Sequence, residues 1–597
     1  MNTTDIISAK KASTLYGLFK ERLKRSPHKT AYKSYDTQTK QWHDISWSEV
    51  AARVACWQGS LVRDDLKPGD RVATNLRNSP EWVFFDQAAL GLGLVLVPLY
   101  PDDRPENVAY ILRDANVKLL LLQNSQQWKV LQPSITAEHE LKRVLIQNTD
   151  TTTHLKPAYY VEDWLNIDDE KLYNSPGQPD EMASIIYTSG TTGRPKGVML
   201  SHQNMLSVAH GGLTRINIVP SDLFLSFLPL SHTLERTAGY YLPMMAGATV
   251  AYSRGIHQLA EDMLDIKPTV LIAVPRIFER IYTRIHSQLK DKSGLSQWLF
   301  HKTVGIGLQR FEYQQKREAW KLIFLVWPLL NKLVASKVRQ RLGGNMRVIL
   351  CGGAALPTTV AELFIGLDFC ILQGYGLTET SPVISVNTPQ NNYPASVGTV
   401  IPGVRVKVGD NHELLARGTG VMLGYWGNDK ATSLTIDNEG WLHTGDQADI
   451  SDTGHIYITG RIKDILVMSN GEKVPPGDIE AAILINPLFE QVLVLGEGEA
   501  FLSALLVLNN DSWIQLAQSL HLDSSDQAVL DNKILHSYVI KQLRQLLSAF
   551  PAYAKIRRVS LHLNGWTAEN DLITPTMKIK RPKVIAHHQR DIDKIYR

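Results

Sequence analysis

The sequence predicts an α/β fold in which a large first domain, residues 1–460, is followed by a compact α+β domain, residues 461–597. Three observations carry this. Short apolar runs alternate with amphipathic segments through most of the first 400 residues, the pattern of strands linked by crossover helices. The alternation ends near Gly460, where strands broken by Gly and Asp turns give way to a mixed pattern that runs to the end. The chain has 597 residues, 44% of them hydrophobic, which is more than one ordinary domain holds.

The elements follow in chain order. Residues 47–61 and 107–115 have helical periodicity, and residues 72–75 and 95–98 read as short strands. Residues 119–122 and 269–274 are continuous apolar runs between turn residues, the signature of strands buried on both faces. Residues 284–342 interrupt the pattern with a helical, basic insert. It holds twelve Lys or Arg against three acids (Asp291, Glu312 and Glu318), a local charge of +9. Inside it, residues 322–330 carry no charge and contain six Leu, Ile or Val and two aromatics, with Pro328 expected to kink or break the helix. Two readings fit this insert equally: a basic, apolar face resting on an anionic membrane, or a core helix with a solvated basic side.

Bulk properties exclude several classes. A net charge of +4 argues against a strongly basic nucleic-acid binder, and 20% charged residues argue against disorder. The three cysteines, Cys56, Cys351 and Cys370, form no C-x-x-C pair, so neither a disulfide framework nor a structural zinc site is expected. No signal-peptide pattern opens the chain, and no run approaches the ~20 apolar residues that span a bilayer. A cytoplasmic protein, touching a membrane at most peripherally, is expected.

The strongest chemical signal follows a strand at residues 184–187. It reads Tyr187-Thr188-Ser189-Gly190-Thr191-Thr192-Gly193-Arg194-Pro195-Lys196-Gly197-Val198. A polyphosphate needs backbone N–H groups that can come close, hydroxyl donors and a cation. Here glycines, Ser/Thr and Lys196 supply them. No G-K-[ST] follows the second glycine, so this is not a Walker A loop. A shorter Ser/Thr/Gly stretch would read equally well as a polar hairpin.

The full string resembles the phosphate loop of the adenylate-forming superfamily, and further segments agree in order. Cys351-Gly352-Gly353-Ala354-Ala355-Leu356 resembles the loop that packs on adenine. Gln373-Gly374-Tyr375-Gly376-Leu377-Thr378-Glu379-Thr380 resembles the segment that covers adenine and supplies a metal carboxylate. Gly440-Trp441-Leu442-His443-Thr444-Gly445-Asp446 resembles the ribose-binding loop. Gly460-Arg461-Ile462-Lys463-Asp464 resembles the interdomain hinge, and Thr574-Pro575-Thr576-Met577-Lys578 the loop with the catalytic lysine. The match spans about residues 15–585.

The resemblance implies a large domain built of two α/β sheets and a small β-barrel-like subdomain, with a mobile C-terminal domain. It implies ATP, Mg2+ and coenzyme A as reactants. Glu379 would bind the metal, with Thr191 as a second ligand, and Lys196 would neutralise the triphosphate. Thr188, Ser189, Gly190, Thr191, Thr192, Gly353, Ala354, Gly374, Tyr375, Gly376, Thr378, Asp446, Ile458 and Arg461 would hold the nucleotide. Lys463 would be the pivot, and Lys578 would stabilise charge in adenylation.

Leu228-Pro229-Leu230-Ser231-His232-Thr233-Leu234-Glu235-Arg236 is similar to the corresponding segment of long-chain acyl-CoA synthetases. His232 would lie near the acid's carboxylate. Some long-chain members carry a tryptophan gate four residues after this histidine, whereas Arg236 stands there in this chain, so the gate is not carried over. The implied reaction joins a long-chain fatty acid to coenzyme A through acyl-AMP. Its alternative is an acyl-AMP ligase that serves a carrier protein. A catalytically dead homologue would show erosion at Lys196, Glu379, Asp446 or Lys578, and none is eroded.

Overall fold

The computed structural model describes residues 5–136, 138–149, 158–165, 171–173, 177–188, 194–548, 550–574 and 577–597. Two large sheets organise its first part. One runs in the order 399–400, 385–386, 371–375, 348–351, 270–273, 223–226, 249–252, 30–36 and 41–46, with parallel pairing from 371–375 to 30–36. The other runs 424–425, 196–201, 182–188, 95–98, 71–75, 117–122, 143–146 and 158–160, parallel from 182–188 to 158–160. The apolar runs read from sequence are the inner strands Arg71–Asn75, Val95–Pro98, Val117–Leu122 and Val270–Ala273. Covered on both faces by helices, they need no polar alternation.

The expected helices form as Trp47–Arg63 and Pro105–Asp114. The first starts in a capping box: the Ser46 side chain accepts from the Glu49 N–H, and the Glu49 side chain accepts from the Ser46 N–H. Four antiparallel strands, Val404–Val408, Glu413–Gly418, Leu442–Ile450 and Ile456–Arg461, make the small barrel-like sheet. The final segment builds its own sheet from Phe489–Leu495, Leu502–Leu508 and Ile556–His562. Trp513, Leu535, Val539 and Leu543 bury one side of it, and Trp566, Leu572, Ile573 and Val584 the other.

The basic insert is helical, as its periodicity predicts. Gly294–Gln314 packs on Thr358–Gly366. A Cβ on Gly307 would lie 1.9 Å from the Gly366 carbonyl oxygen, so only glycine permits that approach. Pro328 does not break the chain. It sits in the first turn of Trp327–Leu330, where its missing N–H costs nothing. Among the described residues, no helix is long and apolar enough to cross a membrane.

Candidate active site

Three strands deliver the motif loops at their C-terminal ends, where open α/β sheets place ligands. Met182–Thr188 ends at the phosphate loop, Val348–Cys351 at Gly352, and Ile371–Tyr375 at Gly376. Ser189, Gly190, Thr191 and Thr192 lie outside the described residues. Their flanks are placed: Thr188 pairs with Lys196 across the antiparallel hairpin. Gly353 and Ala354, after the strand Val348–Cys351, are exposed.

Lys196 Nζ stands 5.0 Å from the Tyr425 ring centroid. The Tyr425 hydroxyl donates to Glu379 Oε1 at 2.8 Å. Tyr425 belongs to the short strand Gly424–Tyr425, which pairs with Lys196–Ser201, so one sheet aligns the cation and the phenol, and the phenol reaches the carboxylate on the turn Thr378–Thr380 that follows a strand of the other sheet. Tyr425 was not foreseen, because nothing in its sequence neighbourhood marks it as a partner of either residue.

The ribose loop meets the adenine segment through Asp446, which is 6% exposed. Tyr375 Oη donates to its Oδ2 at 2.6 Å and Arg461 Nε to its Oδ1 at 2.8 Å. Register makes this possible, since Asp446 and Arg461 are directly paired on neighbouring strands. A carboxylate offers about four acceptor positions, so these two bonds leave room for two hydroxyl donors. Ile458 and Tyr375 both pack on the cluster of Leu414, Ala448 and Ile456. Gly374 and Gly376 flank the tyrosine. A Cβ on Gly376 would meet the Pro382 carbonyl oxygen at 1.8 Å, so glycine alone fits this turn. Thr378 Oγ1 lies 3.2 Å from Thr233 Oγ1, joining the adenine segment to the segment that carries His232.

His232 has a defined tautomer. Its Nδ1 accepts the Leu234 N–H at 3.1 Å, so the neutral ring carries its proton on Nε2. Burial, helped by the Lys578 charge, pushes its pKa down to about 4. At neutral pH it is an uncharged donor.

Lys578 faces this same cleft. The residue is exposed overall, and its pKa is lowered by desolvation and by Arg461, against the pull of Asp446 and Glu379. The lysine sits on a hairpin: the Lys578 N–H donates to Thr574 Oγ1 at 3.0 Å, and the Thr574 N–H to the Lys578 carbonyl at 2.8 Å. Asp571 anchors that hairpin by binding Lys580 at 2.6 Å and also Lys583. Arg104, from the first part of the chain, reaches Asp571 at 3.0 Å. Burial opposes this carboxylate's charge, but the two lysines outweigh it and hold the pKa down at about 2. Sequence reasoning missed Asp571, whose partners are visible only in three dimensions. Lys463 is exposed in the turn Ile462–Asp464 immediately after Arg461.

The position of the tryptophan gate holds a different structure. Arg236 is fully buried and donates to Asp86 at 2.6 Å, to Ser184 Oγ at 2.7 Å and to the Tyr241 hydroxyl at 3.2 Å. Tyr240 and Tyr241 each donate to the other Asp86 oxygen at 3.0 Å. The guanidinium is thus a fixed core element. Its neighbour Glu235 is 1% exposed, and among the described residues neither of its carboxyl oxygens is hydrogen-bonded. Burial pushes its pKa up to about 8, offset only in part by the nearby Ser226 hydroxyl.

Residues 19–426 match the AMP-binding enzyme family, and residues 463–597 match the AMP-binding enzyme C-terminal domain. The chain belongs to the AMP-binding enzyme family. Among relatives of this AMP-binding enzyme, the fatty acyl-CoA synthetase A of Dictyostelium discoideum is 30% identical, over 92% of this chain and 86% of the relative. The long-chain-fatty-acid–CoA ligase FadD15 of Mycobacterium tuberculosis is 28% identical, over 93% and 92%. The fold is that of adenylate-forming enzymes. An anthranilate CoA ligase solved with anthranoyl-AMP superposes with a TM-score of 0.76 at 19% identity, covering 98% of this chain and 100% of that one. The adenylation domain of a carboxylate reductase from Mycobacterium chelonae gives 0.77 at 20% identity, covering 98% and 91%.

Proposed function

We propose that this enzyme activates a long-chain fatty acid with ATP to acyl-AMP and pyrophosphate, then passes the acyl group to coenzyme A and releases AMP. One observation supports the first half-reaction: the charge of Lys578 is coupled to Asp446, Glu379, Arg461 and His232. A mobile cation placed there stabilises charge that develops when the carboxylate attacks the α-phosphate. Asp446 accepts the ribose hydroxyls, Tyr375 flanks the base, and Lys196 meets the phosphates. No protein nucleophile is required, so positioning and charge carry the reaction. The fatty acid and the coenzyme A acceptor are supported by the relatives named as fatty acyl-CoA synthetase and long-chain-fatty-acid–CoA ligase.

The residues present fit Mg2+. Tyr425 occupies one oxygen of Glu379, and among the described residues the other accepts no hydrogen bond, which leaves a hard donor for the ion. Thr191 would complete its protein ligands, and the ion would supply charge neutralisation on the triphosphate. For the second half-reaction Lys578 must leave, with Lys463 as the pivot between residues 1–460 and 461–597. We place the enzyme in the cytoplasm, a reading supported by its three free thiols, Cys56, Cys351 and Cys370.

The test is incubation with ATP, Mg2+ and palmitate, with and without coenzyme A, followed by mass identification of products. Palmitoyl-CoA with AMP is the expected result. Acyl-AMP that never reaches coenzyme A would transfer the protein to the carrier-protein ligases, and no AMP at all would refute the fatty-acid reading.

A further inference from the structure

The segment after Gly294–Gln314 is apolar on two sides. Phe324, Trp327, Leu330 and Ala335 turn inward and are buried against Phe300, Ile306 and Phe364. The opposite stripe is bare: Leu322 is 75% exposed, Leu325 69%, Leu329 60% and Leu333 42%. Their spacing of three or four residues puts them on one side of the consecutive turns Leu322–Val326, Trp327–Leu330 and Asn331–Ala335. Isolated exposed leucines are ordinary, but a contiguous stripe of them is not. Trp320, Ile323 and Val326 extend the patch, each more than 40% exposed.

The patch is ringed by positive charge. Lys316, Lys332 and Lys337 are exposed, and among the described residues none forms an ion pair. Four other basic groups of the insert are paired within the protein. Arg317 pairs with Glu312, Lys321 with Glu318, and Arg310 and Arg339 both approach Asp368. Arg284, Lys290, Lys292 and Lys302, earlier in the insert, are likewise exposed and without an ion pair among the described residues, while Lys316, Lys332 and Lys337 are the unpaired cations that share residues 316–337 with the bare stripe.

We propose that residues 316–337 form a docking face for an anionic lipid bilayer, with Leu322, Leu325, Leu329 and Leu333 inserted among the acyl chains. Lys316, Lys332 and Lys337 contact headgroup phosphates. Bare apolar side chains fit the interfacial region, and uncompensated cations fit an anionic leaflet, so one surface satisfies both layers of the same partner. The surface argument is independent of catalysis. The choice of partner gains from the fatty-acid reading, because the substrate would partition into that bilayer.

The experiment is flotation of the full-length protein with phosphatidylcholine vesicles, with and without phosphatidylglycerol. Wild type is expected to float with the mixed vesicles and much less with pure phosphatidylcholine. Leu325→Asp/Leu329→Asp is expected to bind mixed vesicles at least about tenfold more weakly, and Lys332→Gln/Lys337→Gln to lose the preference for anionic vesicles. The single Leu329→Asp variant, at a side chain that already faces water, serves if the double variant fails to fold. Acyl-CoA formation from a monomerically dispersed fatty acid should be unchanged in all of them. Wild type that does not float, or leucine variants that float as wild type does, would overturn the proposal. So would a dimer by light scattering that the leucine variants dissociate without any change in flotation, since the stripe would then be covered by a second copy. Flotation without any acyl-CoA formation would leave the docking face standing and remove the proposed function.

Discussion

Replacing Lys578 with alanine removes the one cation that the C-terminal hairpin brings to the cleft. Its charge is felt by Asp446 and Glu379, but among the described residues it forms no ion pair, so it remains available to a substrate. A unit charge about 4 Å from developing charge contributes at most ~4 kcal/mol at the effective dielectric of such sites. Deleting one electrostatic donor costs roughly 2.7–4 kcal/mol, or about 10²–10³-fold in rate. Fatty-acid-dependent ATP–pyrophosphate exchange should therefore fall by about 10²–10³-fold. Thioester formation from supplied acyl-AMP and coenzyme A should stay near wild type, because the lysine serves only the first step. The pH profile adds a second check. Desolvation and Arg461 lower the Lys578 pKa, so exchange should decline as pH rises through a value below the usual lysine range. Lys578→Arg, whose charge does not titrate there, should flatten that decline. Equal losses in both half-reactions would refute the reasoning, since the lysine would then be structural or common to both steps.

Three further outcomes are expected. Arg236→Leu leaves the fully buried Asp86 without its cation and should cost about 3–5 kcal/mol in denaturant unfolding, whereas removing an exposed charge, as in Lys316→Gln, should cost almost nothing. Glu235 has a folded pKa of about 8 against an ordinary 4.5, so the native state holds the extra proton between them. Its contribution is complete below the ordinary value and is lost as pH rises through about 8, at about 1.4 kcal/mol per pH unit in that window. Glu235→Gln should thus melt higher than wild type at pH 9 and lose part of the drop between pH 4.5 and about 8, and parallel melting curves would contradict this. Gly376→Ala forces a Cβ to 1.8 Å from the Pro382 carbonyl and should weaken nucleotide binding measured by calorimetry far more than it lowers the melting temperature.

The parts of this molecule that can be read from its sequence are those whose chemistry is local. The run at residues 119–122 announces a strand buried on both faces because four consecutive leucines must share one environment. The motif loops are legible because a glycine, a hydroxyl or a cation is needed within a few positions of the same strand end. The site's connections are not local. Tyr425 reaches Glu379 across 46 residues, and Asp571 is met by Arg104 from the far side of the chain. Arg236 and Asp86 are 150 residues apart, and nothing near either one signals a pair. Their burial also explains why Arg236 reads from sequence as a missing gate and not as a core element. An arginine can occupy a fully buried position only where a carboxylate already waits, and here Asp86 is itself held by two tyrosine hydroxyls. The insert shows the reverse limit. Its periodicity correctly predicts helix, but a helix that is apolar on two sides gives the same pattern whether its outer side is covered by protein or by lipid. Three dimensions separate the two, since Phe324, Trp327 and Leu330 use up the available core and leave Leu322, Leu325 and Leu329 outside it.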